Sequence, residues 1–252
     1  MIFYKFLISY DGTGYYGWQE QKGLPTISGL IKKYFKRVFH QECTIVGASR
    51  TDAGVHAHGQ VVRIRTELII EPSRLHHALG NVLPPDIIIR EVSRVNDDFH
   101  PYKNVAEKTY YYHFFIDRPN PFVQRFGWYY PYPFDIEKLK KTLAMLVGTY
   151  DFAAFATDSI DKDTIRTIDA LELEWQEDIG AYRIIIVGKS FLHHMIRRIV
   201  GATLEIASRD SLAPEHIQTV LNSKKIDQNL QIAPAKGLCL YEIIYNKHSK
   251  NI

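Results

Sequence analysis

The sequence predicts an α+β fold with a mixed, largely antiparallel sheet and helices packed on it. Three observations lead there. Several short stretches alternate apolar and polar residues with period two, which suits strands lying against a core. Others repeat apolar residues at helical spacing. The two kinds of segment do not follow one another in strict βα order, so a doubly wound parallel sheet is not indicated.

The elements follow in order. Residues 2–10, "IFYKFLISY", alternate as a first strand, and "DGTGYYGWQEQ" then marks a loop by its glycines. In "TISGLIKKYFKRVF", Ile27, Leu30, Ile31, Tyr34 and Val38 form a helical stripe, with Thr26 placed as N-cap. Lys32, Lys33, Lys36 and Arg37 fall largely off that stripe and make one helix surface basic. Strands are expected near 43–48 and 59–66, and a short helix near 72–80. "LPPD" then interrupts before the strand "IIIREVSRV". Further strands are expected near 106–116, 165–176 and 181–187, and helices near 135–147, 191–208 and 213–222. "LCLYEIIY" closes the chain as a strand. A boundary after "FHPYKN", near residue 104, divides the chain into two unequal α/β halves, 1–104 and 105–252.

Composition narrows the class of molecule. With 252 residues, 46% hydrophobic and 23% charged, the chain suits a globular enzyme and excludes disordered or collagen-like structure. No segment approaches the roughly 20 apolar residues of a membrane span. "MIFYKFLISY" is broken by Lys5 and followed by no small-residue cleavage site, so it reads as a strand rather than a signal peptide. Cys43 and Cys239 are the only cysteines, too few for a disulfide framework or a thiolate zinc site, and a cytoplasmic home is expected. Net charge is only +3, but no acid lies between Glu20 and Glu42, or between Asp178 and Glu205, while basic residues do. Those stretches suit a polyanionic partner or, equally, solvated helix faces.

The densest chemistry lies in "GASRTDAGVHAHGQVV", residues 47–62. Asp52 before Ala-Gly reads as turn chemistry, its carboxylate capping its own backbone. Arg50, two residues away, supports the other reading, an ionised carboxylate held as nucleophile or general base. His56 and His58 would share one side of a strand at metal-ligand spacing, but no second histidine pair completes a site, so packing is preferred. In "FLHHMIRRIVG", Phe191, Leu192, Met195, Ile199 and Ala202 share a helix face, with Arg197 nearly opposite and His193 and Gly201 beside it. Gly201 allows close approach by a ligand or another backbone, or the face is simply exposed. In "KTYYYHFF", Tyr110 and Tyr112 share one strand face and Tyr111 takes the other, for packing or for stacking on a base.

Together these pieces resemble the tRNA pseudouridine synthases of the TruA type. "RTDAGVHA" at 50–57 is similar to that family's signature loop. "YDGTGYYGWQEQ", "TISGLI", "LVGTYDFAAF", "RTI", "SFLHHMIRRIVG" and "APAKGLCLYEIIY" match other family segments in the same order. The resemblance implies an isomerase that breaks the glycosidic bond of a uridine, turns the uracil and rejoins it through C5, without cofactor or metal. It implies Asp52 as the catalytic aspartate and Arg50 as a residue filling or stabilising the space the base leaves. Arg197 is implied as the partner of the carboxylate, and Tyr110 as the ring packing on the flipped uracil. It further implies two α/β halves joined in one sheet with a basic central cleft, a homodimer, and uridines 38 to 40 of the tRNA anticodon arm as targets. One departure stands out: where the family continues after "FH" with Ala-Arg and an aromatic, this chain has Pro101, Tyr102 and Lys103. Tyr102 replaces the arginine, which bears on substrate choice rather than chemistry. Two rival readings remain: a non-catalytic RNA-binding protein, and a small-molecule hydrolase using Asp52 with His56 or His58.

Overall fold

A computed structural model describes residues 1–157, 163–227 and 229–246. The first elements are β1 (Ile2–Tyr10), α1 (Ile27–Phe39), β2 (Thr44–Gly47), β3 (His56–Thr66), α2 (Pro72–Gly80) and β4 (Ile87–Val95). Then come β5 (Val105–Phe115), β6 (Trp128–Tyr129), α3 (Ile136–Ala144), β7 (Gly148–Asp151), β8 (Ile165–Ile168) and β9 (Ala170–Gln176). Last are β10 (Ala181–Gly188), α4 (Met195–Ser208), α5 (His216–Ser223) and β11 (Leu238–Tyr245). The α+β class and the largely antiparallel, mixed pairing are as the sequence predicts. The chain forms two compact units, Met1–Ala106 with the strand from Cys239 onward, and Glu107–Leu238.

In the first unit β1 pairs antiparallel with β3 and β4, β2 pairs antiparallel with β3, and β11 joins β3 in parallel. Alternation in β1 buries Tyr4, Phe6, Ile8 and Tyr10, and α1 buries Ile27, Ile31 and Phe35. The basic surface of α1 is partly neutralised by the acids that bound it. Lys32 lies 3.2 Å from Glu20, and Lys36 pairs with Glu42. Lys33 and Arg37 stay exposed.

In the second unit β5, β10 and β9 run antiparallel, and β6 joins β5 in parallel. The stretch 165–176, read from its pattern as one strand, is two. β8 pairs with β7, β9 pairs with β10, and between them the Asp169 amide bonds the Val187 carbonyl at 2.8 Å. Residues β-like in pattern on both sides of a bend look continuous, so the break is invisible in sequence. Helix α3 starts at Asp135, whose carboxylate accepts the amides of Glu137 and Lys138. Helix α4 is buried nearly all round, including Ile196, Val200, Gly201, Thr203 and Leu204. An exposed polar face for this helix is therefore ruled out. It also starts later than expected, at Met195, because His194 sits in the left-handed region at φ 63° and ends the preceding turn.

Candidate active site

Arg50, Thr51 and Asp52 lie on the connection 48–55 between β2 and β3. Its ascending limb is held by Gln60, fully buried, whose amide oxygen accepts the Ser49 amide at 3.1 Å and whose amide nitrogen donates to the Ser49 carbonyl at 2.7 Å. Ala48 donates to the Val61 carbonyl at 2.8 Å, and the Thr51 and Tyr10 hydroxyls bond at 2.8 Å. The apex is a four-residue turn, Asp52 to Val55, closed by the Val55 amide on the Asp52 main-chain carbonyl at 3.1 Å. Gly54 takes φ 77° there, the third-position geometry that favours glycine. The turn is thus closed by a backbone hydrogen bond. Asp52 is half-buried and Arg50 exposed.

A second loop, "DGTGYYGWQEQ", clamps the first. The Trp18 amide donates to the Thr51 carbonyl at 3.0 Å, and the Gly54 amide to the Tyr15 carbonyl at 3.2 Å. The approach is so close that a Cβ at Gly12 would lie 2.0 Å from the Val55 carbonyl oxygen. At Gly17 (φ 85°), a Cβ would lie 2.7 Å from the Thr51 carbonyl oxygen and 3.0 Å from the Asp52 carbonyl carbon. The same loop caps α1: the carbonyls of Gly17 and Trp18 accept the amides of Ile27 and Ser28. Thr26 occupies the N-cap position, but its hydroxyl makes no capping bond.

His56 and His58 do not share surroundings, contrary to their spacing. The register of β1 on β3 slips between Ile8, opposite Gln60, and Tyr10, opposite Ala57. That bulge buries His56 and exposes His58. His56 Nδ1 lies 3.0 Å from the Gly12 amide and 3.1 Å from Asp11 Oδ1. His58 stacks on Tyr241 with ring centres 5.0 Å apart.

In the second unit, β5 buries Tyr110 and Tyr112 on one face and leaves Tyr111 half-buried on the other, as alternation requires. Tyr112 is fully buried and donates to the Pro234 carbonyl at 2.9 Å; burial pushes its phenol well above the ordinary range. Tyr111 lies under the Arg183 guanidinium, 4.4 Å from the ring centre. Tyr110 meets the Phe191 ring edge-on at 5.4 Å. Phe191 stands just ahead of α4, the helix that carries Arg197. Arg197 is locked to one neighbour at both ends: its Nε donates to the Ala233 carbonyl at 2.9 Å, and its carbonyl accepts the Ala233 amide at 3.0 Å. Gly201 admits that same segment, since a Cβ there would lie 2.0 Å from the Gln231 carbonyl oxygen. A backbone, not a ligand, uses that gap. His193 and His194 precede the helix, and their ring centres are 3.8 Å apart. His194 Nδ1 bonds the Thr157 hydroxyl at 2.9 Å.

The family model described as tRNA pseudouridine synthase matches residues 7–102 and 143–246. The chain belongs to the tRNA pseudouridine synthase family, and with it to the isomerases that act on tRNA uridine. More particularly, it is similar to proteins named tRNA pseudouridine synthase A. That of Thermodesulfovibrio yellowstonii is 36% identical over 97% of this chain and 100% of its own length. That of Thermoanaerobacter sp. strain X514 is 38% identical over 95% of this chain and 98% of its own. That of Bacillus licheniformis is 36% identical over 96% and 98%.

Sequence reasoning missed the clamp. The glycines of "DGTGYYGWQEQ" signalled a loop, but not that two of them mark where one backbone meets another. It also missed Gln60, whose polar side chain in an apolar strand was the available signal.

Proposed function

We propose that this chain converts uridine to pseudouridine in the anticodon arm of tRNA, at one or more of positions 38, 39 and 40. The observation that carries the chemistry is the loop 48–55, where backbone and a second loop fix Asp52 while leaving turn closure to its main-chain carbonyl. Asp52 then acts on the substrate as nucleophile or by removing a sugar proton. The C1′–N1 bond breaks, the uracil turns, and C5 bonds C1′ as Asp52 leaves the substrate or returns the sugar proton; the C5 proton is then lost and N1 takes one up. The net change is a rearrangement within one nucleotide, so this reading calls for neither metal nor cofactor.

The target base has to leave its stem, at a cost of a few kcal/mol in unstacking and unpairing. Arg50, exposed on the loop, is assigned to the vacated space, and Tyr110 to the flipped uracil. Arg197 is assigned to pair with the Asp52 carboxylate. Its two bonds to Ala233 support that role by fixing where the arginine starts. The working form is assigned as a homodimer in the cytoplasm, holding one tRNA across two copies in basic clefts. Among the described residues no helix is long and apolar enough to cross a membrane, which agrees with that location. The test is incubation with unmodified tRNA transcripts and mapping of pseudouridine at nucleotide resolution. Product confined to 38–40 supports the assignment; product elsewhere only, or none, overturns it.

A further inference from the structure

Strand β5 buries a lysine. Lys108 is only 9% exposed and alternates with Tyr110, 6% exposed, and Tyr112 on one face. Burying an ammonium is costly, and burial pushes Lys108 down to about 8, so it is still mostly protonated at neutral pH. The pairing of β10 with β5 sets Lys108 opposite Gly188. The space above Gly188 belongs to Phe191: a Cβ at Gly188 would lie 3.1 Å from Phe191 Cζ. Phe191 also meets Tyr110 edge-on, so the ring beside Tyr110 stands over Gly188, the residue opposite Lys108. Lys108 and Tyr110 are two residues apart on a strand, about 6.8 Å along it. A base resting on Tyr110 is within reach of a flexible side chain rooted there.

We propose that Lys108 is a further catalytic residue, which meets the flipped uracil and stabilises the negative charge it carries once the glycosidic bond has broken. This rests on the functional reading above, in particular on Tyr110 facing the base. When the C1′–N1 bond breaks, its electron pair leaves with the uracil, and the resulting anion is shared among N1 and the two carbonyl oxygens. Asp52 meets the deficit at C1′, as an ester or by removal of a sugar proton. After the turn, C5 bonds C1′ as the Asp52 carboxylate leaves its ester or returns the sugar proton; C5 then loses its proton, N1 gains one, and the ring is neutral again. Lys108 keeps its proton throughout and supplies charge only. A neutral uridine gains little from that charge, whereas the anion gains much. The effect therefore falls on the chemical step rather than on tRNA binding.

The test compares Lys108→Met, which keeps the stem without the charge, and Lys108→Arg, which keeps a charge. Single-turnover pseudouridine formation, tRNA Kd at fixed salt and thermal melting are measured for each. Lys108→Met should lose at least about 100-fold in the single-turnover rate constant, the scale of one lost charge-stabilising donor. Its tRNA Kd should stay within about threefold, because affinity comes mainly from phosphates. Lys108→Arg should regain at least a tenth of the wild-type rate constant. A folded Met variant within threefold of the wild-type rate overturns the proposal. So does one that loses melting temperature but keeps its rate constant when folded, or an Arg variant as slow as the Met variant. If the Met variant does not fold, Lys108→Gln against Lys108→Arg decides, and equal rates overturn it. Wild-type protein that makes no pseudouridine in the same assay refutes the functional reading itself, which separates the two failures.

Discussion

Gly17→Ala is a small change with a calculable consequence at Asp52. Two penalties combine at this residue. Gly17 has φ 85°, a conformation costing an L-residue about 1–2 kcal/mol. The added Cβ would sit 2.7 Å from the Thr51 carbonyl oxygen and 3.0 Å from the Asp52 carbonyl carbon, where ordinary contact begins near 3.4 Å. The loop that carries Asp52 therefore has to retreat by roughly 0.7 Å, the difference between 3.4 and 2.7 Å. Overpacking against backbone costs about 1–3 kcal/mol, so the variant should be destabilised by about 2–5 kcal/mol in all. For a chain of this size that is a fall in Tm of about 4–20 °C. A displacement approaching 1 Å at the chemical centre can cost about 100-fold in rate. The assay is single-turnover pseudouridine formation with saturating protein, well below the variant's Tm, beside tRNA Kd at the same salt. The expected result is a large rate loss with Kd within a few-fold of wild type. A folded variant with the wild-type rate constant would refute the claim that this loop sets the position of Asp52.

Other perturbations separate contact from packing. Gly201→Ala should destabilise despite alanine's better helix propensity of about 1 kcal/mol. The new Cβ strikes the Gln231 carbonyl and strains both Arg197–Ala233 bonds; a melt at or above wild type would contradict this. Tyr110→Phe should retain much of the turnover, while Tyr110→Ala should lose about 1–3 kcal/mol of stacking in single-turnover rate beyond any fall in Tm. Tyr111→Ala, by contrast, should lower Tm first, through its lost contact with Arg183. On α1, neutralising Lys33 and Arg37 together should reduce the slope of log K against log[salt] by up to about 0.9 per phosphate contact removed. Neutralising Lys32 and Lys36, already paired with Glu20 and Glu42, should reduce it less. A slope unchanged in both pairs assigns the helix to a solvated face.

Local patterns were legible and long-range contacts were not. Alternation in "KTYYYHFF" correctly divided Tyr110 and Tyr112 from Tyr111, because strand geometry is fixed by two neighbouring residues. The loop carrying Arg50 and Asp52 was visible for the same reason, as polar chemistry between two apolar strands. The clamp was hidden, because whether Gly12 and Gly17 make a free turn or a contact depends on Val55 and Thr51, decided by the tertiary fold. The bulge between Ile8 and Tyr10, opposite the stretch that holds His58, was hidden too, since it arises in strand pairing. The late start of α4 depends on His194 adopting a left-handed backbone, which helical spacing through "FLHHMIRR" does not reveal. Gly201 was seen as a gap, but its occupant, the 231–233 segment, lies thirty residues away in sequence.

The central claim is that Asp52 performs the chemistry and is not needed to build its own loop. Asp52→Asn keeps the shape of the side chain and the main-chain carbonyl that closes the turn to Val55, and removes the negative charge and one acceptor oxygen. The decisive measurement is nucleotide-resolution mapping of pseudouridine in a tRNA transcript after incubation with this variant, with melting and tRNA Kd measured on the same preparation. The account predicts no product above background, with Tm within a few degrees and Kd within a few-fold of wild type. Product formed near the wild-type rate, or product lost only because the variant fails to fold, would contradict it.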